Sequence, residues 1–306
     1  MHWRFKYKTR WGICRRNNAD GAGHSFEIAK RLSNKGKLIC IDRDEDAILA
    51  GKEKLKDFDN VIFVKDNHDN IVQILKKLQI DKVDGILLDL GVSSYQLDEK
   101  NRGFSYMQES LLDMRMDKEQ TLDAKNVVNT YKEEDLARII YEYGEEKFSR
   151  QIAKKICEYR KEKEIQTTKE LVQIIESAIP SFAKHGEGHP AKRTFQAIRI
   201  EVNDEIKPLY DTVKNSISVL NKGGRLCIIT FHSLEDRAVK NAYIDAKGKC
   251  TCPSDIPYCV CNFVSLGNII TKNPIIPTIA IMIIINKIVK NVLYLLILPS
   301  LSLTSL

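Results

Sequence analysis

Apolar residues follow two rhythms along this chain. Short, nearly unbroken runs occur at KLICID (37–42), VIFV (61–64), VDGILLD (83–89) and RLCIIT (225–230), each bounded by charged or Gly/Ser segments. Runs of this length and continuity predict strands buried on both faces, the pattern of a parallel sheet. From about residue 107 to 206 the rhythm changes to helical spacing, rich in charge and poor in strand signals. Leu136, Ile139, Ile140 and Tyr143 share one predicted face, Phe148, Ile152, Ile156 and Tyr159 a second, and Leu171, Ile174, Ile175 and Ala178 a third. Thr130-x-x-Glu133 and Thr167-x-x-Glu170 read as capping boxes opening two of these helices. A long helix is predicted through Phe195, Ile198, Val202, Ile206, Leu209, Val213, Ile217 and Leu220, ending at Gly223-Gly224. Strands alternating with helices, interrupted by an all-helical stretch, predict an α/β fold with an inserted domain.

Chemistry collects at the ends of the predicted strands. ADGAGHSFEIAKRL (19–32) is a Gly-rich turn running into an amphipathic helix, and the next two apolar runs stop at Asp42 and Asp89. Ligands of open α/β sheets bind at the carboxyl edge, and an acidic residue about 20 positions after a Gly-rich turn suits ribose hydroxyls. Either aspartate alone would serve equally as a turn cap. Together with the turn they point to a nucleoside-containing cofactor. No GxxxxGK[ST] loop occurs, which argues against an NTPase.

The segments GAGHS, CIDRD, LLDLGVSSYQLD, RGFSY…LDMRMD, GEGHPAKRTFQAIRIEVNDE and ITFHSLEDRAVK, in this order and spacing, resemble the RsmH (MraW) family over about residues 19–278. The resemblance implies a class I S-adenosylmethionine-dependent methyltransferase sheet, Rossmann-like, with an inserted all-helical domain. It implies methylation of N4 of a cytosine in 16S ribosomal RNA of the small ribosomal subunit. Residues 19–106 and 207–278 then form the methyltransferase domain and 107–206 the insertion. By the same resemblance Ala22, Gly23, His24, Asp42, His68, Asp89 and Gln96 contact S-adenosyl-L-methionine, His68 standing where the family has an aromatic residue. Asp89 and His232 are the catalytic candidates, as orienting acceptor and as base or substrate ligand. The alternative reading is a catalytically impaired remnant that keeps weak RNA or cofactor binding.

Composition adds less. The 306 residues carry a formal net charge of +7, compatible with a polyanionic partner. Lysines and arginines cluster from Lys147 to Lys163 and again at Lys192, Arg193 and Arg199. Solvated helix faces often look like this; the implied RNA substrate makes Lys192, Arg193 and Arg199 the RNA-binding candidates. Cys250, Cys252, Cys259 and Cys261 form C-x-C-x6-C-x-C, a weak zinc pattern because zinc knuckles favour C-x2-C; reduced thiols are the alternative, and no metal is expected. The first residues lack the apolar core of a secretory leader, so a cytoplasmic protein is expected. Whether it forms a homodimer is not legible.

Both ends depart from the resemblance. Residues 1–18, MHWRFKYKTRWGICRRNN, place Arg10, Arg15 and Arg16 where the fold needs its central strand, and buried unpaired charges are costly. One back-translation of residues 9–18, read a base later, gives PDGVYVDAT, a better strand, so a frameshifted segment is expected there. Residues 279–306 turn strongly apolar; 279–298 match a membrane span in length, but Asn286, Lys287, Lys290 and Asn291 interrupt it. An out-of-frame tail is expected over a membrane anchor.

Overall fold

The computed structural model describes residues 11–15, 22–33, 35–184, 188–248, 252, 261, 264–270 and 279–284, the side chains of 11–15, 94, 100, 184 and 279–284 excepted. Among the described residues seven strands form one sheet: β1 (Trp11–Arg15), β2 (Lys37–Asp42), β3 (Val61–Lys65), β4 (Val83–Asp89), β5 (Leu220–Thr230), β6 (Asn268–Ile269) and β7 (Ile279–Ile284). Their order is β3-β2-β1-β4-β5-β7-β6. The first five run parallel, and β7 lies antiparallel between β5 and β6.

The strands alternate side chains between two buried faces, which is why their sequences read as continuous apolar runs. Ile39, Ile41, Ile86, Leu88, Leu226 and Ile228 point to one face. That face is covered by α3 (Ile71–Lys77), α11 (Leu209–Ser218) and α12 (Ser233–Lys247). Leu38, Cys40, Leu87 and Cys227 point the other way, towards α1 (Gly23–Arg31) and the end of α2 (Glu45–Lys54).

Between the short α4 (Ser94–Asp98) and α11, the chain builds α5 (Ala124–Thr130), α6 (Glu133–Glu142), α7 (Ser149–Tyr159), α8 (Thr168–Ala178), α9 (Ser181–Lys184) and α10 (Lys192–Asn203). Their inward stripes merge into a separate apolar core that runs from Phe104 to Val202. The Thr167–Glu170 capping box is made in both directions. The one expected at Thr130 is not: Thr130 ends α5, its hydroxyl donating to Asn126 O, and α6 begins after Lys132. The long helix expected from Phe195 onward is broken as well. Asp204 takes a left-handed conformation (φ 47°) that closes α10, and Pro208 sits at the start of α11. The Gly223-Gly224 pair falls inside β5, where the register against β4 shifts.

Two corrections concern the ends. The central strand, not expected from residues 1–18, is formed by them: Trp11–Arg15 pairs with β2 on one side and β4 on the other. The described strand holds one charged residue, Arg15, at its last position; Arg10 and Arg16 lie outside the described residues. The remnant reading rested on that strand's absence and loses its structural basis. Six apolar residues of the supposed aberrant tail, Ile279–Ile284, form β7 and pair with β5 from Thr230 to Arg225. An interior strand accounts for their unbroken apolarity without an anchor. Residues 285–306 lie outside the described part, and among the described residues no helix is long and apolar enough to cross a membrane.

Candidate functional site

β1 is the switch point of the sheet: β2 lies on one side of it and β4 on the other, and the crevice above such a point is where α/β sheets bind ligands. Asp42 ends β2 and Asp89 ends β4, so the two carboxylates flank the helix α1 that starts between them. Both are buried, at 8% and 1% exposure. Ala22, the N-cap of α1, is buried and left-handed at φ 86°; no side chain caps the helix and its first turn holds no acidic residue. Helix N-termini of this kind offer N–H groups to an anionic or hydroxylated ligand. His24 reaches across to Asp89, Nε2 to Oδ2 3.7 Å, and burial lowers its proton affinity. The turn, Asp42 and Asp89 are therefore brought together. The donor set fits a nucleoside carrying an amino-acid tail: a carboxylate for ribose hydroxyls, helix N–H groups for a carboxylate. Gly21 lies outside the described residues.

As a unit, the supporting shell has no signature in the sequence. Asp44 N–H donates to Asp42 Oδ1 (2.9 Å), and the Asp44 carboxylate caps α2 by accepting from Asp46 N–H (3.1 Å). Arg102 clamps the same carboxylate with contacts of 2.9 and 3.3 Å, reaches Asp46 at 2.9 Å, and donates to the carbonyls of Arg115 and Met116. Gln96 completes the knot. Its Nε2 donates to Asp44 Oδ2 (2.6 Å) and its Oε1 accepts from Ser93 N–H (3.0 Å). With its oxygen and one N–H engaged, Gln96 ties the loop after β4 to Asp44. Asp44 was readable as a helix cap before EDAILAGKEK, and Arg102 stands in the RGFSY motif, but no spacing announces their pairing.

His68 is buried just after β3, its Nε2 3.5 Å from Asp69 Oδ1, in a 3-10 turn capped by Asn67. A polar cleft of about 480 Å³ nearby is lined by Arg43, Lys65, Asp66, Asn67, Asp117, Glu119 and Gln120. Its charges offset one another, as in the Lys65–Glu119 pair at 3.1 Å, and it contains none of the expected site residues.

At the end of β5, His232 stands at the N-cap position of α12 without a side-chain capping bond; its side chain is 9% exposed, 3.5 Å from Glu235. Glu205, His232 and Glu235 lie close enough to share a metal ion. Arg199 already supplies a cation there: its Nε and Nη2 donate to the two Glu205 oxygens at 2.9 and 3.0 Å. Burial, then the Arg199 charge, push the His232 imidazole down to about 4, so it is neutral at pH 7 and a poor proton acceptor. This argues against the role of base. It also gives a pH signature. The unfolded chain, with its histidine near 6.5, takes up the proton first as pH falls, so stability present above pH 6.5 is lost towards pH 4. The full loss is about 3 kcal/mol. Urea unfolding at pH 7.5 and 4.5 should show a smaller acid loss in His232→Gln than in the parent; equal losses would remove His232 from the account.

Arg199 also corrects the expected RNA face. It is the partner of a buried carboxylate, so its charge is neutralised inside the protein. The sequence held a signal: Arg199 follows Phe195 by four residues and precedes Val202 by three, both buried. Lys192 and Arg193 are exposed, Arg193 donating to Glu145 O. In the first cluster Arg160 serves structure, donating to the carbonyls of Val128 and Tyr131 at the end of α5. Lys147, Arg150 and Lys161 are exposed and make no ion pair among the described residues. Cys250 and Cys259 lie outside the described residues; Cys252 and Cys261 are half-buried.

Comparison with known proteins agrees with this geometry. The model of the MraW methylase family matches residues 19–286, which takes in β7. The ribosomal RNA small subunit methyltransferase H of Clostridium botulinum (strain Kyoto / Type A2) is 60% identical over 258 residues, 84% of this chain and 83% of that protein. Its namesake in Lachnospira eligens is 55% identical over 258 residues, 84% of this chain and 82% of that one. An rRNA methylase structure from Streptococcus thermophilus aligns with a TM-score of 0.38 at 10% identity, over 91% and 89% of the two chains, a likeness that decides nothing. The sheet is that of a class I methyltransferase carrying a helical insertion, and the chain belongs to the MraW methylase family.

Proposed function

We propose that this protein transfers a methyl group from S-adenosyl-L-methionine to N4 of a cytosine in 16S ribosomal RNA of the small ribosomal subunit. The observation that carries the reading is the pair of buried carboxylates, Asp42 and Asp89, flanking the uncapped start of α1 at the switch point of the sheet. The relatives named above supply the substrate class, and an RNA substrate of this kind fits a cytoplasmic protein. Residues 19–106 and 207–278, with β1 and β7, form the methyltransferase domain in this reading, and 107–206 the helical insertion.

When bound, the cofactor supplies an electrophilic methyl group. The chain supplies the rest. Asp42, held by Asp44 N–H, accepts from ribose hydroxyls. The N–H groups of Gly23 and His24 receive the amino-acid end, with Ala22 shaping the turn and His68 at the adenine side. Asp89 orients the cytosine amine, whose lone pair is delocalised into its ring; an acceptor for the N4 protons favours a pyramidal, more nucleophilic nitrogen. Alignment at near-attack distance then contributes much of the rate. The target base must leave its stack to reach this edge. Lys192 and Arg193, with exposed Lys147, Arg150 and Lys161, form the phosphate-facing surface.

Incubation of small-subunit particles with the protein and methyl-labelled cofactor, followed by nucleoside chromatography, tests the function. Label is expected in N4-methylcytidine; label in another nucleoside, or none, overturns the assignment. The cofactor site makes its own prediction. Asp42→Ala is expected to weaken S-adenosylmethionine binding by about 1.5–3 kcal/mol, the scale of hydrogen bonds to a charged group, without unfolding the chain. Unchanged affinity by calorimetric titration would take Asp42 out of the site.

A further inference from the structure

The stretch that leaves β4, Asp89-Leu-Gly-Val, contains no aromatic residue. A base drawn out of an RNA stack loses its stacking energy and is commonly held against an aromatic ring in the pocket that receives it. The adjacent strand carries such a ring. Asp89 stands opposite Ile229, and Leu90 N–H donates to Ile229 O at 3.0 Å, so β4 and β5 stay paired up to the edge. Gly91 and Phe231, two residues beyond those partners, leave the edge beside each other.

Their contact is close. A Cβ placed on Gly91 would lie 3.2 Å from Phe231 Cδ2, and Gly91 has φ 77°, so a glycine there both permits the turn and leaves the ring room against the backbone. Phe231 is anchored from behind, its N–H donating to Glu235 Oε2 at 2.7 Å, and Glu235 is 1% exposed. The backbone of Phe231 is thus held at the start of α12 and its ring lies against Gly91, yet the residue is 54% exposed. A phenylalanine held this firmly and left this open has apolar area available for a ligand.

We propose that Phe231 is the stacking surface for the target cytosine, so that the base-binding subsite is shared between β4, which contributes Asp89, and β5, which contributes the ring. The inference deepens the cytosine-methyltransferase reading and rests on it. Stacking explains how a loop without an aromatic residue can still hold a base flat in front of an acceptor, and it places the selection of a planar ring on a residue separate from the cofactor site.

Phe231→Ala, Phe231→Leu and Phe231→Trp test it. Alanine and leucine are each expected to lower kcat/KM for small-subunit RNA about 10- to 100-fold, and tryptophan to stay within a few-fold of the parent. Melting temperature and affinity for S-adenosylhomocysteine should not move, because the ring is exposed and lies outside the cofactor contacts. A binding arm separates this proposal from the activity itself. Alanine should weaken binding of a short cytidine oligonucleotide but not of an abasic oligonucleotide of equal length. Leucine as active as phenylalanine, or equal weakening on both oligonucleotides, overturns the stacking role. A parent enzyme that labels no cytosine overturns the function instead, and the oligonucleotide arm still decides the ring.

Discussion

Arg102→Met is expected to destabilise the protein by about 3–5 kcal/mol, the usual consequence of removing one partner from a buried ion pair. Arg102 is 4% exposed at its side chain and Asp44 2%. The guanidinium joins Asp44 and Asp46 from the start of α2 to two carbonyls of the segment leading into the helical insertion. Methionine fills a similar volume but leaves the Asp44 carboxylate without its cation, and only Gln96 and the cap of α2 remain to hold it. Because Asp44 N–H positions Asp42, cofactor affinity should fall along with stability. Arg102→Lys keeps the charge and loses the bidentate fork, so it should fall between the two. Denaturant unfolding measures all three; a methionine variant within 1 kcal/mol of the parent would show that this knot is not structural.

Asp89→Asn has the largest expected effect on the reaction. If Asp89 orients the cytosine amine, single-turnover methyl transfer at saturating cofactor and RNA should fall about 10²- to 10³-fold, the range seen when one preorganised transition-state hydrogen bond is lost. Melting should change little, since asparagine has nearly the same shape. The carboxylate is 1% exposed, beside His24, and after burial it is the second cause pushing the Cys227 thiol up to about 12. A variant with undiminished turnover but a raised KM for the cofactor would make Asp89 an anchor for the cofactor alone.

The parallel strands were legible because each is buried on both faces and reads as an unbroken run; KLICID and VDGILLD gave their limits directly. Helical stripes and the Thr167 box were visible for the same local reason. What failed was non-local. The charges of Arg10, Arg15 and Arg16 hide Trp11–Arg15 in the sequence, although a five-residue strand with Arg15 at its end needs only a few uncharged positions. The family match starts at residue 19, so this central strand is built from residues outside it. Ile279–Ile284 read as membrane or artefact because an interior strand and a membrane span are both simply apolar. Asp204, which breaks the long helix, has no glycine to announce its positive φ. In the site, strand ends gave Asp42 and Asp89, while the Asp44–Arg102 pair spans 58 residues and no periodicity connects them. By charge alone Arg199 is indistinguishable from a surface cation; the fold sets it against Glu205.

A crystal structure of the full chain with S-adenosylhomocysteine would test the central claim most directly. The account expects the nucleoside at the carboxyl edge over β1, its ribose hydroxyls within hydrogen-bond distance of Asp42 and its amino-acid end at the start of α1. A nucleoside bound anywhere else, such as the polar cleft lined by Lys65 and Glu119, would contradict it.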